Sequence, residues 1–169
     1  MKKILFLVFI VYAQVIIAQN IVVNEGKATV DFLFLDDDVD GTLSDFKFTG
    51  QLNFDSLENS IVSGTVATET IDTDNWLRNR HLRNKYFKSD DFPLLKFKSD
   101  SITAEGDAFI VYGLLTIKGI SKAANFRFIK TSNLLTGKAS INTSDFDINI
   151  HDESSRNMVT ITLTLPYSN

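Results

Sequence analysis

The chain contains no cysteine. That excludes disulfides, thiolate metal sites and a cysteine nucleophile. It also excludes lipid attachment through an N-terminal cysteine after processing. Only two prolines occur in 169 residues, so proline-rich linkers are absent and long extended strands can form. Histidine is limited to His81 and His151, and no HExxH, GxSxG, GxGxxG or P-loop pattern is present. No residue set therefore nominates itself as catalytic, and the chain reads as a non-enzyme without cofactor. Positive charge is in deficit, with 17 Lys and Arg against 21 Asp and Glu. Setting Lys2 and Lys3 aside leaves 15 against 21, about −6. Nucleic acid demands a basic footprint, so it is excluded as a partner. Apart from residues 4–17, no segment is apolar enough to span a bilayer.

Phenylalanine is abundant, with 14 residues, and β-branched residues are frequent. Both favour sheet. Residues 1–18 combine a basic start at Lys2-Lys3, an apolar run and a small residue, Ala18, before Gln19. This is the pattern of a secretory signal peptide. It predicts export to the periplasm or beyond, with residues 19–169 as one domain that is not stably inserted in a membrane.

Past that segment the chain is mostly alternating. Val30, Phe32 and Phe34 share one parity, Phe46 and Phe48 another run, and Gly50 suggests a bend before Leu52 and Phe54. Ile61 to Ile71 reads as a long strand. Leu94 to Ser99 and Ile102 to Ala104 read as separate pieces, followed by Phe109 to Ile117 and Ala123 to Lys130. Asn133 to Gly137 looks like loop, and Lys138–Ile141 and Phe146–Ile150 like short extended pieces. The last strand is the clearest: Val159, Ile161, Leu163 and Leu165 alternate with threonines until Pro166 stops it. Eight or nine short strands with turn signals mean a sandwich or a barrel.

One stretch breaks the alternation. From Trp76 to Phe87 the apolar and basic residues recur at three and four, a spacing that predicts one or two helical turns. Thr73 or Asp74 can cap its start, and Phe92-Pro93 returns the chain to extended geometry. A short helix inside a sheet protein suits a plug or gate at one end of a barrel, with Trp76 anchoring it by packing. Arg78, Arg80, His81 and Arg83 make it basic. They either meet the polar head of a ligand or pair with Asp72, Asp74, Asp90 or Asp91. Asp36, Asp38, Asp40 and Gly41 match the start of a calcium loop, but Lys47 stands where the closing Glu should be. A solvated acidic turn is the better reading, and no metal site is expected.

The run Thr73…Arg78-Asn79-Arg80-His81-Leu82…Tyr86-Phe87…Phe92-Pro93…Phe97-Lys98-Ser99 resembles the first signature of the YceI-like family. Gly113 to Lys122, GLLTIKGISK, resembles its second signature. The likeness extends more weakly from Lys27 to Leu165. Two departures stand out: Asn79 where the family usually has Asp, and Thr143 with Phe146-Asp147 where it usually has Arg and then Phe-Gly. The resemblance implies an all-β, eight-stranded antiparallel lipocalin-like barrel with a short helical insert. It further implies an exported protein that holds a long-chain isoprenoid or other lipid, such as a quinone-like or fatty acyl compound. Residues expected to contact such a ligand are Phe32, Phe34, Phe46, Phe48, Phe54, Trp76, Arg78, His81, Phe97, Phe126 and Phe128. Each buried CH₂ of ligand would yield about 0.8 kcal/mol. The same rings could instead fill the barrel, leaving a structural or interaction module, and a lipid-modifying enzyme using His81 is a third alternative. Pairing of two copies through an outer face is also compatible with this fold.

Overall fold

The computed structural model describes residues 20–168, so the expected signal peptide at residues 1–18 lies outside the described residues. Ten strands form: β1 (Val22–Val23), β2 (Thr29–Phe34), β3 (Val39–Leu43), β4 (Lys47–Gln51), β5 (Ile61–Ala67), β6 (Leu94–Glu105), β7 (Ala108–Ile117), β8 (Ile120–Lys130), β9 (Leu134–Asn142) and β10 (Met158–Ser168). The one α-helix among the described residues, α1 (Trp76–His81), runs into a π-helical turn, Leu82–Phe87. All pairings are antiparallel, as expected for short connections. The main sheet curls in the order β3-β2-β10-β9-β8-β7-β6-β5-β4, with β1 added to the far end of β10.

The two edge strands of this sheet, β3 and β4, are consecutive in the chain. Only Ser44, Asp45 and Phe46 separate them, and Asp45 takes a left-handed φ of 57° that turns the chain. Counted as one bent strand, β3 and β4 reduce the nine-strand path to the eight strands expected. The first half pairs with β2 and the second with β5, so the edges meet through the covalent chain. Single contacts hold the seam. Thr42 and Asp72 exchange backbone bonds of 2.8 and 3.0 Å, and the Ser44 N–H donates to Thr70 Oγ1 at 2.8 Å. Further along, the Phe48 N–H donates to the Glu25 carboxylate at 2.8 Å and the Ile21 N–H to the Leu52 carbonyl at 3.1 Å.

Several sequence expectations are corrected here. Pro166 does not stop β10, which continues to Ser168. The proline lies between the stretch paired with β2, ending at Thr164, and the stretch paired with β1, starting at Tyr167. Leu134–Gly137 belongs to β9 and is not loop. The pieces at Leu94 and Ile102 are one strand, β6, with an irregularity between Ser99 and Ser101. β5 ends at Ala67, where a 3₁₀ turn over Thr68–Thr70 begins. Phe146–Ile150 is not a strand. Thr143–Phe146 is a 3₁₀ turn, and it buries Phe146 and leads to the buried Ile148.

The two ends of the curled sheet differ. At one end Phe54, Phe109, Phe128 and Tyr167 pack together, with the Phe109 and Phe128 rings stacked at 5.2 Å and Phe54 edge-on to Tyr167 at 5.5 Å. The Lys130 ammonium lies 4.1 Å from the Phe54 ring centroid. This aromatic plug closes that end. At the other end lie the β2–β3 turn, the insert from Ile71 to Pro93, and the segment from Thr143 to Asn157.

Candidate functional site

Between the plug and the insert lies a cavity of about 510 Å³. That falls within the 300–1,000 Å³ typical of small-molecule sites. Its walls come from the inward parity of the strands: Val30, Phe32 and Phe34 of β2, Leu115 and Ile117 of β7, Phe126 and Phe128 of β8, and Val159, Ile161, Leu163 and Leu165 of β10. Leu77, Leu82, Tyr86 and Phe87 of the insert line the mouth.

The phenylalanines leave this space open because several of them lie against glycine. Phe32 pairs across strands with Gly41, and Phe128 with Gly137. A Cβ at Gly41 would come within 2.4 Å of the Phe32 ring, and one at Gly137 within 2.4 Å of the Phe128 ring. A Cβ at Gly113 would meet Phe97 at 2.8 Å and the Lys98 carbonyl at 2.2 Å. With no side chain on the neighbouring strand, each ring settles onto the wall and not into the lumen.

Nine of the eleven residues singled out from the sequence border the cavity: Phe32, Phe34, Phe46, Phe48, Arg78, His81, Phe97, Phe126 and Phe128. Phe54 does not, because it belongs to the plug beyond β4. Trp76 does not either. It is 73% exposed, which also overturns its reading as a packing anchor. The sequence reading named no site residue on β7 or β10, and it left out Leu77, Leu82, Tyr86 and Phe87 of the insert. The strict alternation of β10 was the available signal.

The insert is held from below by a hydrogen-bonded chain. Arg78 donates through Nε to Thr73 Oγ1 at 2.7 Å and through Nη2 to the Thr73 carbonyl at 2.6 Å. Thr73 Oγ1 donates to Asn79 Oδ1 at 2.6 Å, and Asn79 Nδ2 donates to Asp72 Oδ1 at 2.7 Å. The cap is Asn75, not Thr73 or Asp74: its Oδ1 accepts the Arg78 N–H at 3.0 Å. Arg83 turns to the carbonyls of Glu69 and Asn79 at 3.1 and 3.3 Å. The aspartate pairing expected of Arg83, and left open for Arg78, is replaced by bonds to Thr73 and to backbone oxygens. The Asn79 amide, followed by the Asp74 N–H, holds the Asp72 carboxyl below its usual range. Across the mouth, Asp36 accepts two bonds from Arg156, and His151 Nε2 lies 3.1 Å from Asp37 and 3.5 Å from Asp36. The Arg156 bond keeps the Asp36 carboxyl below its usual range.

Comparison with known proteins bears on this architecture. A family model described as YceI-like domain matches residues 21–167. The UPF0312 protein plu2095 of Photorhabdus laumondii is 37% identical over 86 residues, 48% of this chain and 43% of that protein. Protein YceI of Salmonella arizonae is 36% identical over 85 residues, 48% of this chain and 44% of its own length. The chain therefore aligns with less than half the length of these curated relatives. Among solved structures, Burkholderia cenocepacia BcnA superposes with a TM-score of 0.77 at 21% identity, covering 87% of this chain and 99% of that one. A polyisoprenoid binding domain from Saccharophagus degradans superposes with a TM-score of 0.62 at 11% identity, covering 88% and 98%. At these identities the structural likeness speaks to the fold.

Proposed function

This chain belongs to the YceI-like domain family, and from that premise we propose that it carries one long apolar ligand non-covalently. The ligand class is a polyisoprenoid, a quinone-like molecule or a fatty acyl lipid. The observation that carries this reading is the apolar cavity of about 510 Å³, closed by aromatic rings at one end and roofed by a short helix at the other. An apolar tail would occupy the Phe- and Leu-lined depth, where water gains nothing by staying. Arg78 and His81 stand at the rim, where a polar head would rest. Burying a ten-carbon length would supply roughly 8 kcal/mol before ordering costs. Sequestration, not chemistry, would be the activity. Export by residues 1–18 would put the carrier in the periplasm or outside the cell. No helix among the described residues is long and apolar enough to cross a membrane.

The test is mass spectrometry of an organic extract of the natively purified protein, beside a mock purification. A stoichiometric long-chain lipid absent from the mock is expected, and Phe48→Glu, which puts a charge on the cavity wall, should lose it while staying folded. A clean extract combined with no uptake of added isoprenoid or fatty acid would leave a structural or interaction module. Conversion of an added lipid by the natural protein but not by His81→Ala would replace the carrier with a lipid-modifying enzyme.

A further inference from the structure

Trp76 is the sole tryptophan of the chain and the most exposed large apolar side chain among the described residues, at 73%. Burial does not explain it, since the inward face of the insert is filled by Asn79, Leu82, Tyr86 and Phe87. Its neighbours on the outward face follow helical spacing. Trp76, Arg80, Asn84 and Lys88 recur every four residues, with Leu77, His81 and Lys85 beside them, and all are exposed. Five Lys and Arg and no Asp or Glu lie between Trp76 and Lys88. In a chain of net charge −4 this is a local reversal of sign. Of these cations, Arg78 and Arg83 point inward to Thr73 and Glu69, which leaves Arg80, Lys85 and Lys88 for the outside. Two more exposed leucines, Leu35 and Leu94, lie at the same end of the barrel.

We propose that this face docks the barrel mouth onto a lipid surface bearing anionic headgroups. An exposed indole with an adjacent leucine fits the boundary between headgroups and acyl chains. Cations just beyond it are drawn to the negative surface potential, at about fivefold in partitioning per residue. An acidic protein would satisfy the cations, but it would not account for Leu77, which is both exposed and part of the cavity wall. On a bilayer that residue would sit where the acyl layer and the cavity become continuous. The acidic residues near this end are Asp36, Asp37, Asp38 and Asp40 on the opposite lip, Asp145, Asp147, Asp152 and Glu153 in the Thr143–Asn157 segment, and Glu69, Asp72, Asp74, Asp90 and Asp91 flanking the insert. Asp36 and Asp37 are engaged by Arg156 and His151, and Asp72 by Asn79. Docking would therefore be tilted, insert side down. The use of this surface for loading rests on the carrier reading, but its existence does not.

The test is binding of the purified protein to ligand-free vesicles of phosphatidylcholine alone or with phosphatidylglycerol added, read by co-sedimentation and by Trp76 emission. The expected result is a blue shift and at least about tenfold tighter binding when phosphatidylglycerol is present, weakening with salt. Arg80→Glu/Lys85→Glu should lose binding by about tenfold or more. Neither residue lines the cavity, so isoprenoid uptake from detergent should persist in that variant. Equal binding to both vesicle types, unchanged binding by the variant, or no binding at low salt would overturn the proposal. A Trp76 shift with polyglutamate and none with vesicles would overturn it in favour of a protein partner. Vesicle binding without isoprenoid uptake would instead count against the carrier reading alone.

Discussion

Asn79 shows how one atom type decides a site. Its Oδ1 takes two donors from Thr73, and its Nδ2 gives one to Asp72. Asn79 departs from the aspartate usual in the family it resembles, and in this chain aspartate would set two carboxylates against each other. Asn79→Asp should therefore cost about 2 kcal/mol at neutral pH, lowering Tm by roughly 4–8 °C. The deficit should shrink as pH falls, because protonating either carboxyl restores a donor. Matching melting curves for the two proteins at neutral and acidic pH would disprove this. Residue parity explains both what was legible and what was not. Val159, Ile161, Leu163 and Leu165 were read as inward and line the cavity. Phe54 was assigned inward by the parity of Phe46 and Phe48, but β4 ends at Gln51 and the pattern does not carry across the break. Leu134–Gly137 looked like loop because of Asn133 and Gly137. Yet Gly137 is the residue that lets the Phe128 ring lie flat.

Among the elements, the insert was legible as a helix and only partly legible as a surface. Spacing of three and four predicted the helical turns, but it did not single out Leu82, Tyr86 and Phe87 as the residues that line the mouth. Trp76 was expected inward because large apolar residues usually pack, but a helix this short has one buried face and that face was already filled. The π-helical turn over Leu82–Phe87 and the left-handed φ of 49° at Lys88 mark a segment shaped by its tertiary position. Such turns concentrate at functional sites. Its start rests on the Asn75 cap, so Asn75→Ala should cost about 1 kcal/mol. Hydrogen exchange of the amides from Arg78 to Phe87 should then quicken about fivefold while β7 and β8 stay unchanged. Uniform acceleration across the whole sheet would show that the insert does not open on its own.

At the scale of the whole molecule, short strands with turn signals made a sandwich or a barrel readable, and the resemblance of the two signature stretches pointed to the barrel. The seam was not readable, because it depends on contacts between residues far apart in sequence. Glu25 is the clearest case. The Phe48 N–H, then Lys47, holds its carboxyl below the usual range. A carboxyl lowered on folding stabilises the fold above its ordinary range and stops doing so as pH falls through the lowered value. Acidification should therefore loosen β4 at Phe48 and the 20–28 segment before it loosens β7 and β8. In Glu25→Gln the amide oxygen can still accept the Phe48 N–H, so that step should disappear. Site-resolved hydrogen exchange across the acid range, corrected for intrinsic rates, checks this, and an identical acid step in the variant would sink it.

The bent segment that supplies both edges of the sheet has one more consequence. An unpaired strand edge is a template on which a second chain can add. Here some backbone groups of each edge are engaged locally, Thr42 and Ser44 by Asp72 and Thr70 on one side and Phe48 by Glu25 on the other. In a protein with no disulfide to hold it shut, these contacts shorten the strand edge on which fibrils or runaway oligomers could grow.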